Sequence, residues 1–470
     1  MTRRPDQVVV VGGGLAGLTA AYRLSQGGTE VTVIEPDRLG GKLQTSVVAG
    51  RAVDESADAF LLRVPWAAAL CRDLDIEGEL ISPAARAAEV FVDGTRHRLP
   101  TGHVLGVPTD LDALARSGLV SAAGVSRAAE DLVAPSSPED PARLGDDVAI
   151  GPYLRRRMGD EVVDHLVDPL IGGINAGDTG SLSLAAVVPQ LDAAARSGDP
   201  SLIRSCLDQK ARATLPPEAP IFATPIGGTA RIIDALLALM PGVEMRVGRR
   251  VVGIELIGPS SVRVAVDDGS VIDADAVVVA SPAHAAGPLL ASAAPVASQI
   301  LGAIGHASVS MVTLAFEPGA LAPDPECSGC LIPRDQGTLT TAVSYATNKW
   351  AQLRDPERDD VILRASAGRF GDDRHLDLDD KDLVARMLTD LDRVVGLRSA
   401  PTEVRVNRWP RSFPQYAPGH LGRMDVLDGS LAALPVAVAG MALRGVGIPA
   451  TIRSAELAAA SLGAVWPTRT

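Results

Sequence analysis

Residues 7–11, Gln-Val-Val-Val-Val, are a short β-branched apolar run, the pattern of a strand buried on both faces of a parallel sheet. Gly12, Gly13, Gly14, Leu15, Ala16 and Gly17 follow. From Leu15 onward, Leu18, Ala21 and Leu24 continue an apolar series at helical spacing. Val31-Thr32-Val33-Ile34 predicts a second strand, which ends on an acid, Glu35. The order strand, glycine turn, helix, strand, acid predicts a βαβ unit.

Further along, residues 111–135 predict an Ala-rich helix, and Ser136, Ser137, Pro138 and Pro141 a break. Residues 150–168 predict a polar helix whose Arg155-Arg156-Arg157 reads as a solvated face. Ile221 to Leu239 reads as strand, Gly227-Gly228 turn and helix. Val247, Val251 and Ile254 open an alternating sheet segment. Val262 to Val266 and Val271-Ile272, joined through Asp268-Gly269, predict a hairpin. Val277-Val278-Val279-Ala280 is another buried strand, stopped by Pro282. Val436-Ala437-Val438-Ala439-Gly440 and a helix from Ala450 to Leu462 repeat the opening motif at the chain's end. A strand, glycine turn and helix at each end predict one discontinuous domain.

Each part of the opening unit has a chemical job. Gly12 permits the tight turn, Gly14 lets the backbone approach a pyrophosphate, and Gly17 lets helix and strand pack closely. Gly13, Leu15 and Ala16 complete the loop, and the helix N-terminus offers unpaired N–H groups to phosphate. Glu35 accepts from ribose hydroxyls and would repel a 2′-phosphate.

Composition narrows the function classes. Of 470 residues 46% are hydrophobic, enough for a large core, and only 3% are aromatic, so Ala, Val, Leu and Ile must build it. The net charge of −13 repels phosphate backbones and argues against nucleic acid as a partner. Positive charge is almost all arginine, since the only lysines are Lys42, Lys210, Lys349 and Lys381. Cys71, Cys206, Cys327 and Cys330 give no disulfide framework. The single CxxC has no second ligand pair, so these read as packing cysteines and no metal site is expected. No apolar run reaches the ~20 residues that span a bilayer. Arg3 and Arg4 mimic a signal peptide, but the glycines that follow interrupt the apolar stretch. The expectation is a cytoplasmic protein, with peripheral membrane contact left open.

Arg38-Leu39-Gly40-Gly41-Lys42-Leu43-Gln44-Thr45 resembles the RxGGxxxT element of the flavin amine oxidase superfamily. This implies FAD as cofactor, with Gly41 and Lys42 along the dinucleotide, and since no cysteine lies beyond Cys330 the FAD is expected to be non-covalent. More specific are three later segments. They are Gly159 to Val163 with Asp168-Pro169-Leu170-Ile171-Gly172-Gly173-Ile174-Asn175-Ala176-Gly177-Asp178 and Leu182-Ser183-Leu184; Asn348-Lys349-Trp350; and Arg408-Trp409-Pro410 with Pro414-Gln415-Tyr416, Gly419-His420 and Arg444 to Pro449. Together they resemble the coproporphyrinogen III and protoporphyrinogen oxidases of haem biosynthesis.

The resemblance implies an α/β fold with a discontinuous Rossmann-type FAD-binding domain, an α+β substrate domain and a helical subdomain. The FAD-binding domain would comprise 1–70, 222–294 and 432–470. The substrate domain would comprise 71–95, 186–221 and 295–431, and the helical subdomain, a membrane-contact candidate, 96–185. Ser56, Ala57, Asp58 and Ala59 match the segment that passes the flavin ring. Val251 matches the residue whose backbone meets the adenine, and Trp409 lies near the flavin. Gly440, Val446, Gly447 and Ile448 match the turn and helix start facing the flavin pyrimidine. The family usually has glycine where Ser56 stands. Arg63, the one candidate for a substrate propionate, is followed here by Val64 and Pro65 rather than a second basic residue. His420 reads as structural and Lys349 as packing on Trp350.

The implied activity is six-electron oxidation of coproporphyrinogen III to coproporphyrin III, with oxygen as acceptor and hydrogen peroxide formed. Protoporphyrinogen IX oxidation, a flavin amine oxidase or carotenoid desaturase, and a flavin-free Rab-escort-like binding protein are the rivals. Ferrochelatase is the partner the pathway suggests.

Overall fold

The computed structural model describes residues 5–133, 145–212, 219–322, 326–355 and 357–465. The Ser136–Pro141 break and Arg3-Arg4 lie outside the described residues.

The opening pattern folds as the β-branched runs dictate. Five parallel strands stand in the order Glu244–Val247, Glu30–Glu35, Gln7–Val11, Ala276–Val279 and Val436–Val438. Side-chain alternation sends Val8 and Val10 to one face and Val9 and Val11 to the other. The first face is covered by helices Leu15–Gln26 and Ile448–Ser461. The second is covered by helices Ala283–Leu289 and Pro295–Gly302 and by the antiparallel strands Val251–Gly258, Ser261–Val266 and Val271–Ala274. Both faces are buried, so the strands read as unbroken apolar runs. The hairpin around Asp268-Gly269 is present.

A second sheet has seven strands: Glu403–Pro414, His306–Phe316, Val361–Ala367, Thr340–Tyr345, Gly329–Leu331, Glu89–Val92 and Thr95–Arg98. Helix Asp380–Val395 packs on it through Leu383, Met387, Leu391 and Val394. Asp379 caps that helix by accepting from the Asp382 N–H at 2.8 Å. A third, helical core gathers Leu114, Ile150, Leu154, Val162, Leu166 and Leu191.

The helical region corrects three expectations. The helix predicted over 111–135 is two, Leu111–Ser117 and Ala122–Val133, because Gly118 turns left-handed at φ +71°. The helix predicted over 150–168 breaks at Gly159, φ +86°. It resumes as a widened π-helical stretch, Val163–Gly172, that contains Pro169. The arginine triplet is not one solvated face. Arg155 pairs with Asp160 and Asp164, only Arg156 is exposed, and the partly buried Arg157 pairs with buried Asp131, its Nε donating at 2.7 Å. All four cysteines are free and buried, and burial pushes the Cys327 thiol up to about 12.

Candidate functional site

The glycine turn shows which glycines serve the protein and which leave room for something else. Gly12 sits at φ +106° and donates to the Ile34 carbonyl at 2.9 Å. A Cβ on Gly17 would lie 1.8 Å from the Gly12 carbonyl oxygen, so close packing alone demands glycine there. A Cβ on Gly14 would meet only the Gly41 Cα, at 3.9 Å. The described residues do not fill that space, which leaves a cradle where a phosphate group could approach the backbone. The helix begins with no side-chain cap, and among the described residues the Ala16 and Gly17 N–H groups have no acceptor at this N-terminus.

Glu35 shapes the loop. Its Oε2 accepts from the Gly13 N–H at 2.7 Å and its Oε1 from the Asp37 N–H at 2.9 Å. Each oxygen keeps a further lone pair for a hydroxyl. The Arg249 N–H donates to the Glu35 carbonyl at 3.2 Å, which brings buried Val251 alongside.

Lys42 has no acid. Among the described residues its Nζ contacts only the Met441 sulfur, at 3.7 Å, and burial lowers its pKa to about 8. Its neighbours are basic too. His284 is driven down to about 4, first by burial, then by Arg411, His306 and Lys42. Its Nδ1 is buried without a partner, and its ring meets His306 edge-on at 4.9 Å. Such a gathering, with no carboxylate of the described residues paired to Lys42, suits an anionic ligand. His284, His306 and Arg411 were not singled out in the sequence, because nothing local joins residues so far apart.

The segment from Glu55 to Ala59 is pinned from behind. Three consecutive carbonyls are claimed by side chains from three elements: Glu55 by the Trp409 indole N–H at 3.1 Å, Ser56 by Arg364, and Ala57 by the Thr229 hydroxyl at 3.1 Å. Asp58 receives Lys349 Nζ at 2.9 and 3.0 Å, the Trp350 indole at 3.1 Å and Arg364 Nη1 at 3.1 Å. Among the described residues the backbone N–H groups of Ser56, Ala57, Asp58 and Ala59 donate to no protein acceptor. Lys349 does lie over the Trp350 ring, 5.5 Å from its centre, and it also forms this ion pair.

The C-terminal turn is held by Tyr416 and His420. The Tyr416 hydroxyl donates to the Met441 carbonyl and accepts from the Gly445 N–H at 2.9 Å. His420 is buried, stacks on Tyr416 with centroids 3.9 Å apart, and its Nε2 meets the Leu443 carbonyl at 2.6 Å. Gly440 donates to the Ser454 hydroxyl at 2.7 Å. Gly447, φ +108°, begins helix Ile448–Ser461, whose Ile448 and Ala450 N–H groups have no protein acceptor among the described residues. The segment after the π-helical stretch meets the residues that hold this turn: Gln415 Nε2 donates to the Asn175 carbonyl at 3.1 Å, and the Ser183 N–H to the Tyr416 carbonyl at 2.7 Å. Arg63 is exposed and has no ion pair among the described residues. No cluster of three His, Cys, Asp or Glu among the described residues is arranged for a metal.

The family model for flavin containing amine oxidoreductases matches residues 15–462. The chain is 33% identical to the coproporphyrinogen III oxidase of Bacillus subtilis (strain 168), over 97% of this chain and 98% of that one. It is 35% identical to the coproporphyrinogen III oxidase of Mycobacterium bovis (strain ATCC BAA-935 / AF2122/97), over 97% of both. A crystal structure from Exiguobacterium sp. 255-15 superimposes with a TM-score of 0.85 at 29% identity, covering 97% of this chain and 98% of that one.

Proposed function

The chain belongs to the coproporphyrinogen III and protoporphyrinogen oxidase family of flavin containing amine oxidoreductases, and we propose that it oxidises coproporphyrinogen III to coproporphyrin III using non-covalent FAD. The observation that carries the substrate is likeness to coproporphyrinogen III oxidases along the whole length of both chains. The glycine cradle is shared by many nucleotide-binding proteins and carries only the cofactor class.

The residues fit FAD. Gly12 to Gly17 would receive the pyrophosphate, Glu35 a ribose, and Lys42 would supply charge that no acid among the described residues neutralises. Gly41 lies against the Gly14 backbone, Val251 follows two residues after Arg249, whose N–H holds the Glu35 carbonyl, and Gly440 precedes Met441, whose sulfur Lys42 meets. Bound FAD supplies a two-electron acceptor that oxygen can reoxidise to give hydrogen peroxide.

The chain's own work is to bind, orient and exclude water. Across each planar peptide the N–H groups of Ser56, Ala57 and Asp58 point away from the claimed carbonyls of Glu55, Ser56 and Ala57, and Trp409 helps fix where that strip lies. The Val446-Gly447-Ile448 turn aims a 14-residue helix N-terminus, whose dipole favours negative charge on a reduced cofactor. The His420 ring stacks on Tyr416 and meets the Leu443 carbonyl through its Nε2 edge, and burial lowers its pKa, which suits support and not proton transfer.

The test is stoichiometric. The chromophore released from purified protein should be FAD, and each coproporphyrin III formed in air should consume three oxygen molecules, as six electrons require. A colourless folded protein, or substrate left unchanged by a yellow one, overturns the reading.

A further inference from the structure

Away from the cofactor cradle, Arg369 is a buried cation with no acid paired to it among the described residues. Arg369 is 8% exposed, yet among the described residues its side chain makes no hydrogen bond and no ion pair within 4 Å. No Arg369 side-chain nitrogen is fully buried and unpartnered, so the guanidinium keeps a side that a ligand can reach, and an accepting ligand would supply the partner that a mostly buried cation lacks.

The two acids that influence it are already occupied. Asp168 accepts from the Thr179 hydroxyl at 2.7 Å and N–H at 3.2 Å, and from Arg334 Nε at 3.2 Å. Asp372 holds Arg374 through both oxygens at 2.7 Å. Arg334 is anchored to Asp168 and the Gly177 carbonyl, and its side chain is 33% exposed. Burial, and then the positive charge of Arg334, lowers the Arg369 pKa to about 10, so the two guanidiniums sense each other.

The position is built, not loose. Arg369 follows strand Val361–Ala367, and the neighbouring Phe370 N–H donates to the Ala176 carbonyl at 2.8 Å. Beside it lies a small apolar cluster of Ala176, Ala307, Val309, Phe370 and Phe413. Val309 pairs across the sheet with Trp409, whose indole holds the Glu55 carbonyl. An apolar surface thus runs from the Trp409 strand to two guanidiniums. This matches an apolar ring that carries carboxylate arms.

We propose that Arg369 and Arg334 form a carboxylate subsite that receives a propionate arm of the tetrapyrrole. The inference rests on the porphyrinogen reading. A planar guanidinium offers parallel N–H donors to both carboxylate oxygens, so Arg369 supplies charge and direction together, and Arg334 closes the open side.

The test titrates the flavin-loaded protein with coproporphyrin III and, separately, with its tetramethyl ester, whose arms are neutral. Wild type should prefer the acid. Arg369→Met should weaken the acid on the order of 10- to 100-fold, the loss of one charge-assisted pair, and leave the ester unchanged. Arg369→Lys, which keeps charge and loses the fork, should fall between. Arg334→Met, at a part-exposed side chain, should lower acid affinity on the order of 10-fold, and it serves if Arg369→Met fails to fold. In each folded variant the flavin spectrum should match wild type, and KM for coproporphyrinogen III should rise more than kcat falls. Equal preference for acid over ester in wild type and variants overturns the subsite alone. Binding of neither form to yellow wild-type protein overturns the porphyrinogen reading as well.

Discussion

Replacing Asp58 by Asn should cost the protein about 3 kcal/mol. The Asp58 carboxylate, 16% exposed, meets Lys349 Nζ, the Trp350 indole and Arg364 Nη1, all at 2.9–3.1 Å. Asn has nearly the same shape, but it turns an NH2 group toward cations and carries no charge. Lys349 and Arg364, 21% and 5% exposed, are then left without their acid. Removing one partner of a buried pair costs roughly 3–5 kcal/mol, and partial hydration of Lys349 argues for the lower end. The assay is urea unfolding of the flavin-free protein for D58N, K349M and the double variant. Because the lysine's charge is the problem D58N creates, the double variant should lose less than the two singles summed, by on the order of 1–3 kcal/mol. Acid adds a signature. Burial works to raise the Asp58 pKa, but Lys349 and Arg364 more than reverse it, holding the carboxyl well below its usual range. A folded pKa below the unfolded ~3.9 means stabilisation in full above about pH 4, lost as pH falls further, and D58N should flatten that limb. A D58N loss under about 1 kcal/mol, or additive singles, would refute the reasoning.

Gly14→Ala and Gly17→Ala should separate cofactor from fold. The first meets no protein atom closer than 3.9 Å, so flavin-free stability should stay within about 0.5 kcal/mol while flavin affinity, read by fluorescence titration, drops at least on the order of 10-fold. The second drives a Cβ to 1.8 Å from the Gly12 oxygen and should cost more than about 3 kcal/mol in urea unfolding. Lys42, at about 8 in the flavin-free protein, should make flavin affinity fall as pH rises above 8, by up to about tenfold per unit, and Lys42→Met should abolish the slope. The same lowered value means the folded state binds fewer protons than the unfolded chain between about 8 and 10.4, so flavin-free stability should rise with pH there. Tyr416→Phe strands the Gly445 N–H and the Met441 carbonyl, and should cost about 1–2 kcal/mol and weaken flavin binding in the same titration.

The opening βαβ unit was legible because its signals are local: a β-branched run, glycines at fixed offsets and an acid at the next strand's end. The seven-stranded sheet was not. His306–Phe316 is buried on both faces through most of its length, so it shows no alternation, and its partner Glu403–Pro414 carries Arg405, Arg408, Pro410 and Arg411. The pairing is set by contacts across about a hundred residues, which no short window contains. The same holds within the site. Gly12 to Gly17, Glu35 and Lys42 come together as spacing suggested, whereas His284, His306 and Arg411 meet Lys42 only through tertiary packing. Lys349 shows the limit in one side chain: its neighbour Trp350 predicted the packing, and Asp58, 291 residues away, supplies the ion pair. Helix ends failed at Gly118 and Gly159, where a single left-handed glycine outweighed an otherwise continuous helical pattern.

The most direct test of the central claim is a side-by-side rate measurement. Coproporphyrinogen III and protoporphyrinogen IX are each given to the yellow protein in air, and porphyrin fluorescence is followed to obtain kcat/KM for both. The account predicts a clear preference for coproporphyrinogen III, with its additional propionates. Preference for protoporphyrinogen IX would contradict the assigned substrate, and no porphyrin from either would contradict the function.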